Sequence, residues 1–329
     1  MILSIESSCD DSSIALSKIS DYEILFHKKI SQDSEHSVYG GVVPEIASRL
    51  HIIALPKILD SLKKEFDLKK IKAIAITNEP GLSVSLIEGV MMAKALSLSL
   101  NIPLIAINHL KGHIYSLFLE SSSIFPLSIL LLSGGHSLIL EAKNHNNIKI
   151  IASTLDDSFG EAFDKVAKML SLGYPGGPIV EQYALNAKQK NIAFPVPLKD
   201  SKALSFSFSG LKNAVRLYID STANLDKNEV CYAFQNSAIK HITQKCKIYL
   251  KNSTIKHFGI VGGASANKAL RLKLESICKE FNKEILFAPL EFCSDNAAMI
   301  GRCGIEDYKN NDFISQDKLD ISPRSRIFK

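Results

Sequence analysis

Apolar runs alternate with short polar turns along this chain, and their spacing predicts a mixed α/β protein. Residues 2–31 contain an apolar strand, a polar turn and two further strands. Residues 127–154 give the same order, with the turn Ser133-Gly134-Gly135-His136 after the first strand. The chain therefore repeats one arrangement of hairpin strands.

Each repeat continues with a strand, a small-residue turn and a helical pattern, at 73–98 and again at 258–281. Hairpin strands followed by alternating helices and strands predict two duplicated mixed-sheet α/β domains, as in the actin-like ATPase (ASKHA) fold, with a ligand cleft between them. We expect residues 1–108 plus 296–329 to form the first domain. Residues 109–295 are expected to form the second, with most of the metal and nucleotide site.

The segment 156–178 combines acids, a helical pattern and a glycine turn. The apolar spacing predicts a helix that starts near Asp164, and residues 174–178 predict a rigid turn open to a ligand. The alternative is that the acids cap one helix and the glycines end it. Further small-residue turns follow strands near Pro80, Ser133 and Gly262, and such turns before helices suit phosphate or carboxylate.

Composition fits a soluble protein: 329 residues, 46% hydrophobic and 22% charged. Neither a targeting signal nor an apolar run of about 20 residues is evident, so we expect a cytoplasmic protein without a membrane segment. Six cysteines without CxxC spacing favour reduced thiols. A net charge of +5 is compatible with an RNA partner. The basic residues near the C-terminus could contact a phosphate backbone or form a solvated tail: Lys318, Arg324, Arg326 and Lys329.

His109 and His113 have the i, i+4 spacing that lets two imidazoles on one helix face bind a metal ion, although such pairs are often accidental. A zinc protease would need Glu at position 110, where this chain has Leu110. Asp295, in a small-residue turn before a helix, is the expected third ligand. Two histidines and a carboxylate favour Fe²⁺, with Zn²⁺ possible. We expect an open site of this kind to contribute little to packing.

Nine motifs, in order and over nearly the whole chain, together resemble the TsaD family. They are IESSCD at 5–10, GGVVPEIASR at 40–49, HLKGH at 109–113, SGGH at 133–136, GEAFDK at 160–165, YPGGP at 174–178, FSGLK at 208–212, GGASAN at 262–267 and CSDNAAMI at 293–300. The resemblance implies an acyltransferase that moves a threonylcarbamoyl group from threonylcarbamoyl-adenylate to N6 of the adenosine 3′-adjacent to the anticodon. The tRNAs are those that read codons starting with A.

The resemblance also implies a metal held by His109, His113 and Asp295, and an acid near the reaction centre at Asp10, whose alternative role is to cap a strand end. Two sequence departures, Ser137 for the usual Thr and Glu79 for the usual glycine, concern local loop geometry. A TsaB-type paralogue and a TsaE-type ATPase are the implied partners. The implied adenylate-binding residues, of which Glu181 varies within the family, are Leu131, Leu132, Ser133, Gly134, Gly135, Asp164, Gly177, Glu181 and Asn267.

Other functions remain open on the sequence alone. The same fold and turns would serve a small-molecule kinase or a silent nucleotide-binding subunit, although the silent paralogue generally lacks the histidine pair. Similar chains have also been described as metal-dependent glycoproteases, which the absence of Glu at position 110 disfavours.

Overall fold

The computed structural model describes residues 1–326, which divide into two compact units. The first unit comprises Met1–His36, Val42–Ile124 and the described residues from Ala288 on. The second unit comprises Ser37–Gly41 and Phe125–Phe287. Lys329, one of the basic residues considered above for RNA contact, lies outside the described residues.

The first unit contains a five-stranded sheet in the order β3-β2-β1-β4-β5. β2 is antiparallel to both β1 and β3, whereas β4 is parallel to β1 and β5. Its elements are β1 (Ile2–Glu6), β2 (Asp11–Ser17), β3 (Ile24–Ser31), α1 (Asp33–Ser37), α2 (Pro44–Glu65), β4 (Ala73–Glu79), α3 (Ser83–Leu100), β5 (Leu104–Asn108), α4 (His109–Tyr115) and, after the segment that forms the second unit, α10 (Ala297–Lys309).

The two faces of this sheet differ in side-chain size. Leu3 and Ile5 alternate with Ser4 along β1 and belong to a core cluster that includes residues of α2 and α3. On the other face, a Cβ at Gly301 of α10 would lie 2.8 Å from Ser4 Oγ. Ser4 Oγ also donates to the carbonyl oxygen of Ala297 at 2.6 Å. Small residues therefore let α10 pack directly on the sheet, and this fixes the turn that precedes α10.

The second unit contains a five-stranded sheet in the order β10-β9-β6-β7-β8. β7 is antiparallel to both β6 and β8, whereas β9 is parallel to β6 and β10. Its elements are β6 (Leu127–Leu132), β7 (Ser137–Asn144), β8 (Asn147–Ser153), α5 (Phe159–Met169), α6 (Gly176–Leu185), α7 (Ser209–Ser221), α8 (Lys227–Asn252), β9 (His257–Val261), α9 (Lys268–Glu280) and β10 (Glu284–Phe287).

The two sheets confirm the predicted duplication, because each consists of a three-stranded antiparallel meander extended by two parallel strands. Two local predictions were wrong. The helix expected near Asp164 begins at Phe159, since Ser158 and Glu161 form a capping box. The glycines at 176 and 177 begin α6 rather than standing in a separate turn, because Pro175 is its N-cap.

The division into units also differs from the predicted boundaries after residues 108 and 295. α4 and residues 288–295 belong to the first unit, because α4 packs against α10 and β5. The three expected metal ligands therefore lie in the first unit, whereas the residues expected to bind adenylate lie in the second.

By length and composition, α3 is apolar enough to cross a membrane, and about 33% of it is buried. It packs against β4 and α2. One such helix is weak evidence for a membrane span, since core helices of soluble proteins have the same composition.

Candidate metal centre and nucleotide-binding turns

The histidine pair lies on α4, a short helix that begins where β5 ends. Asn108 is its N-cap, and Asn108 Oδ1 accepts hydrogen bonds from the backbone N–H groups of Leu110 (3.0 Å) and Lys111 (3.2 Å). His109 and His113 are one helical turn apart, so their side chains lie on the same side of α4. Their ring centroids are 4.6 Å apart, with the rings at 80° to each other.

Asp295 joins the pair from a distant part of the chain. It lies in the turn before α10, whose N-cap is Asn296. Asp295 Oδ1 is 3.3 Å from His109 Nε2 and 3.2 Å from His113 Nε2. The three potential ligand atoms lie within 4.8 Å of one another, and this is the one such group of three in residues 1–326. The structure therefore brings together the three residues chosen from the sequence.

Glu6 contacts His109 through the ring nitrogen that does not face Asp295. The Glu6 side chain is fully buried at the end of β1, and its Oε2 lies 3.2 Å from His109 Nδ1. Burial alone would lower the pKa of His109, but the carboxylates of Asp295 and Glu6 outweigh burial and raise that pKa well above its usual value. Burial would raise the pKa of Asp295, yet His109 holds it well below its usual value. An Nδ1–H that donates to Glu6 leaves Nε2 as the atom able to bind a metal.

The surroundings of the His113 ring show whether these three residues suit a metal ion. Its side chain is fully buried, and neither ring nitrogen makes a hydrogen bond within residues 1–326. The 3.2 Å approach of Nε2 to Asp295 is an ion-pair distance without hydrogen-bond geometry. Burial lowers the pKa of His113 and outweighs the opposing effect of Asp295, so the imidazole is the neutral form that binds metals. Two imidazoles and a carboxylate fit Fe²⁺ or Zn²⁺.

The helix that carries the ligands is tightly packed. His109 is 7% exposed and His113 is 0% exposed, so the expectation that the ligands contribute little to packing was wrong. A Cβ at Gly112 would lie 2.6 Å from Ile300 Cδ1 of α10. On the same helix, Lys111 Nζ lies 3.2 Å from Asp307 Oδ1 of α10 in a buried ion pair. Close contact with α10 therefore fixes α4.

Asp10 lies in the turn between β1 and β2. His51 holds this turn, with Nδ1 2.7 Å from Ser12 Oγ and Nε2 2.9 Å from the carbonyl oxygen of Cys9. Burial raises the pKa of Asp10, the hydrogen bond with Cys9 opposes that rise, and the charge of Asp295 adds to it. A carboxylate with a raised pKa is a stronger proton acceptor than an ordinary one.

In the second unit, two of the predicted turns meet at one edge of the sheet. β6 and β9 are parallel neighbours, so both turns follow strands that end at the same edge: residues 133–136 after β6 and residues 262–267 after β9. Ser133 N donates to the carbonyl oxygen of His136 at 2.9 Å, which closes the first turn. Gly134 and Gly135 are exposed, and a Cβ at either would meet no atom within 4 Å. This edge therefore has open space beside backbone groups.

Two glycines are required for the close approach of these segments. Gly262 has a φ of 91°, and a Cβ there would lie 2.3 Å from the carbonyl oxygen of Leu132. Gly160, in the first turn of α5, would place a Cβ 2.6 Å from the carbonyl oxygen of Ser133. The N-terminus of α5 therefore lies directly against the Ser133 turn, with its partial positive charge.

Asp164 connects α5 to α6. Asp164 Oδ1 accepts a hydrogen bond from Gly176 N at 2.7 Å. A Cβ at Gly176 would lie 2.6 Å from Asp164 Cα, whereas a Cβ at Gly177 would meet no atom within 4 Å. Gly176 is thus required for packing, and Gly177 leaves space beside the first turn of α6.

Asn267 and Glu181 make hydrogen bonds within the second unit. Asn267 Oδ1 accepts from Leu270 N at 2.9 Å and so caps α9, while Asn267 Nδ2 donates to Gln235 Oε1 at 2.8 Å. Glu181 Oε1 accepts from Lys268 N at 2.7 Å. Both side chains therefore have a scaffold role that the sequence did not reveal. Leu131 and Leu132 are fully buried, so only their backbone can face a ligand.

The acids at the start of the 156–178 segment do not cap α5, whose N-cap is Ser158, so the helix-capping alternative is wrong for Asp156 and Asp157. Asp156 accepts hydrogen bonds from Ser207 Oγ at 2.6 Å and Phe208 N at 2.7 Å, next to the N-terminus of α7. Asp157 forms ion pairs with Lys165 at 2.6 Å and Lys212 at 2.5 Å. These acids therefore make structural contacts within the second unit.

Sequence reasoning missed Glu6 and Lys29. Lys29 Nζ lies 2.8 Å from Asp11 Oδ2 and donates to Ser294 Oγ at 2.9 Å, which fastens the turn bearing Asp295 to the β2–β3 hairpin. An acid at the end of β1, a strand that is buried throughout, was a usable signal for Glu6. No comparable sequence signal pointed to Lys29, because its role depends on a contact with Ser294, which is distant in the sequence.

Solved structures with the same fold include HypF from T. kodakarensis, with a TM-score of 0.62 at 12% identity over 97% of this chain and 48% of that one. The activator of 2-hydroxyisocaproyl-CoA dehydratase from Clostridium difficile gives a TM-score of 0.53 at 14% identity, over 94% of this chain and 95% of that one. The chain is therefore a protein of the actin-like ATPase fold with a potential two-histidine, one-carboxylate metal centre.

Sequence relatives define the family. The family model for TsaD, tRNA N6-adenosine threonylcarbamoyltransferase, matches residues 23–302. This chain is 60% identical to the protein of that name from Wolinella succinogenes and 61% identical to the one from Helicobacter pylori strain J99, each over 99% of both chains. The chain belongs to the TsaD family of tRNA N6-adenosine threonylcarbamoyltransferases, which are acyltransferases that modify tRNA.

Proposed function

We propose that this chain transfers the threonylcarbamoyl group of threonylcarbamoyl-adenylate to N6 of the adenosine 3′-adjacent to the anticodon, in tRNAs that read codons starting with A. The N6 amine forms a bond to the carbamoyl carbon, the bond from that carbon to the phosphate oxygen breaks, and AMP leaves with the electron pair. The observation that carries the proposal is the convergence of His109, His113 and Asp295 in a member of the TsaD family.

His109, His113 and Asp295 would hold one divalent ion, with Fe²⁺ favoured and Zn²⁺ possible. When bound, such an ion would supply Lewis-acid polarisation of the threonylcarbamoyl group. Glu6 would keep His109 in the orientation that presents Nε2. Asp10 would accept the proton lost from N6, consistent with its place in the turn beside β1 and its raised pKa.

The turns that follow β6 and β9, at the carboxyl ends of these strands in the second unit, would bind the adenylate. Backbone groups at Leu131–Gly135 and the open space at Gly177 would face its phosphate and sugar. Asp164, Glu181 and Asn267 would also form hydrogen bonds to the adenylate. Each would use donor or acceptor positions that its hydrogen bond inside the protein does not occupy. AMP held in this way is a stabilised leaving group, so no covalent intermediate with the protein is required.

The deciding experiment supplies labelled threonylcarbamoyl-adenylate and tRNA, with and without partner proteins, and analyses the nucleosides by mass spectrometry. We expect threonylcarbamoyladenosine from the parent chain. Asp295→Asn keeps the size of the side chain but removes the negative charge that lies 3.3 Å and 3.2 Å from the two imidazole Nε2 atoms, so we expect it to abolish the product. Absence of product with every component supplied would reject the transferase assignment and favour a kinase or a silent nucleotide-binding subunit.

The proposed partners are a TsaB-type paralogue and a TsaE-type ATPase. An exposed apolar face on α2 and α3, two helices that pack together, supports a protein partner on the first unit. Val84, Ile87, Met91 and Leu98 recur at helical spacing along α3 and are 40%, 45%, 57% and 68% exposed. Ile52 and Ile53 of α2 are 55% and 51% exposed. We assign this apolar face to the paralogue.

We propose a cytoplasmic location, where the tRNA substrate is found. Within residues 1–326, no disulfide joins any two of Cys9, Cys231, Cys246, Cys278, Cys293 and Cys303, which is consistent with a reducing compartment.

A further inference from the structure

Glu79 is a buried acid at the end of β4 whose contacts the transferase chemistry does not use. It is 4% exposed and stands where the TsaD resemblance leads one to expect glycine. Glu79 Oε1 accepts two hydrogen bonds, from Asn108 Nδ2 at 2.9 Å and from Arg326 N at 3.0 Å. Arg326 Nε also lies 3.5 Å from Glu79 Oε2. A carboxylate left unpaired here would be costly, so these contacts are needed to keep it buried.

Asn108 connects Glu79 to the helix that carries the metal ligands. Its Oδ1 accepts from the N–H groups of Leu110 and Lys111, so the orientation of its amide decides whether α4 is capped. Its Nδ2 donates to Glu79 and, at 2.9 Å, to Ser325 Oγ. Because an amide held at its nitrogen must present its oxygen to the other side, Glu79 and Ser325 orient the cap.

Residues 320–326, which we name the C-terminal arm, run along the ends of β4 and β5. Asn78 Nδ2 donates to the carbonyl oxygen of Asp320 at 2.9 Å, and Ser322 N donates to the carbonyl oxygen of Asn78 at 3.0 Å. In the same arm, Arg326 contacts the Glu79 carboxylate and Ser325 contacts Asn108, the N-cap of α4. The arm therefore links the end of β4 to the start of α4.

We propose that Glu79 and the C-terminal arm position the metal-binding helix by locking the Asn108 cap. α4 spans only seven residues, His109–Tyr115, and a helix of that length has little stability of its own. His109 is its first residue, directly after the cap, so a loosened cap displaces a ligand atom first. Glu79 and the arm act through Asn108 and are positioning residues. The metal part of this inference rests on the proposed function, whereas the effect on α4 does not.

The test replaces Glu79 by Ala in the full-length chain and follows amide hydrogen exchange in the metal-free protein. We expect the amides of Leu110 and Lys111 to exchange about tenfold faster, the scale of a lost N-cap. Amides of α2, in the same unit, should keep their protection. Glu79→Gln retains an acceptor oxygen and should restore most of the protection. Glu65→Ala, which removes an exposed carboxylate at the end of α2, is the matched control and should change neither set of amides.

Cobalt(II) titration provides a second readout, because it reports on the ligands without tRNA or adenylate. We expect Glu79→Ala and Asn108→Ala each to weaken Co²⁺ binding several-fold, and the double variant to be little worse than Asn108→Ala alone, since both act through one cap. Unchanged exchange at Leu110 and Lys111, an equal loss of protection throughout the first unit, or unchanged Co²⁺ affinity would overturn the inference. A chain that passes this test but makes no threonylcarbamoyladenosine would refute only the proposed function.

Discussion

The Nδ1 atom of His109 lies 3.2 Å from the Oε2 atom of Glu6, which is fully buried. Glu6 Oε2 also accepts from Thr77 Oγ1, and Glu6 Oε1 accepts from Ser8 N at 2.6 Å, so the carboxylate cannot rotate without losing these bonds. A fixed acceptor on one side of the imidazole determines which ring nitrogen is available on the other.

Glu6→Gln should therefore weaken metal binding about 10- to 100-fold, the range typical of a lost partner to a metal-ligating histidine. An amide N–H directed at Nδ1 would favour the tautomer whose proton occupies Nε2, the atom that should bind the metal. Calorimetric or absorbance titration with Co²⁺ measures the effect. Glu120→Gln, on an exposed residue of the same unit, is the control. Equal affinity in both variants would contradict a role for Glu6 in orienting His109.

Gly176 and Gly177, adjacent in α6, allow the effect of a substitution on packing to be measured separately from its effect on ligand binding. Gly176→Ala should destabilise the chain by about 1–3 kcal/mol, because its Cβ would lie 2.6 Å from Asp164 Cα. Gly177→Ala adds a methyl group where no atom lies within 4 Å, so its stability should change by less than about 0.5 kcal/mol. If the adenylate occupies that space, Gly177→Ala should still weaken binding about tenfold, the effect of roughly 1.4 kcal/mol.

Urea denaturation and calorimetry with a non-hydrolysable adenylate analogue measure these two quantities. Normal affinity in Gly177→Ala would place the nucleotide away from the first turn of α6.

The apolar face gives a prediction about assembly. Met91 is 57% exposed in the middle of α3, so Met91→Glu should leave folding intact but bury an unpaired charge in any interface formed there. We expect loss of co-elution with the TsaB-type paralogue in size-exclusion chromatography. Leu272→Glu, on a residue of α9 that is 67% exposed in the second unit, should retain the complex. Retention by both variants would place the paralogue elsewhere.

The positions of the hairpin strands along the chain and the histidine pair could be predicted from sequence because both depend on local spacing. β1–β3 and β6–β8 follow apolar runs separated by turn residues, and His109 and His113 follow the helical repeat. Long-range contacts were not predictable in this way. Asn267 was chosen for its amide, but the partners of that amide are Leu270 and Gln235, and Gln235 lies 32 residues earlier in the chain.

The same limit explains the acids of the 156–178 segment. The 156–178 segment suggested a ligand site because acids, among them Asp156 and Asp157, stand in it together with a glycine turn. Their partners at Ser207, Phe208 and Lys212 lie more than 50 residues away and turn them into structural anchors. A local sequence pattern indicates which reactions or ligands a carboxylate could serve. The tertiary fold determines whether other residues of the protein already form hydrogen bonds or ion pairs with that carboxylate.

Binding of the two substrates should differ in its dependence on salt. Contacts between Lys or Arg and tRNA phosphates release counterions, so tRNA affinity should fall steeply as salt rises, with a slope near −0.7 to −0.9 per phosphate contact. Adenylate binding, which relies on one phosphate and on hydrogen bonds, should show a slope of magnitude about 1 or less. Fluorescence titration from about 50 to 200 mM salt gives both slopes. Equal slopes would argue against a basic tRNA surface on this chain.

His241 gives a pH dependence whose sign follows from its surroundings. The ring is fully buried in T-shaped contact with Phe206 and Phe208, and its Nε2 accepts a hydrogen bond from Ser207 N at 3.1 Å. Burial, with a smaller contribution from Lys245, lowers the pKa of His241 to about 4. The unfolded chain, where an ordinary histidine has a pKa near 6.5, therefore binds more protons than the folded chain between about pH 6.5 and pH 4.

The stability that neutral His241 contributes is fully present above about pH 6.5 and is lost as pH falls toward 4, by at most about 3 kcal/mol. Urea denaturation at pH 7 and pH 5, followed in the second unit, should show a smaller difference for His241→Gln than for the parent chain. Gln can still accept from Ser207 N but does not titrate, so the comparison isolates the proton. His27, whose pKa burial also lowers to about 4, lies in the first unit and should contribute in the same direction there. An unchanged pH difference in His241→Gln would show that other groups set the acid sensitivity of the second unit.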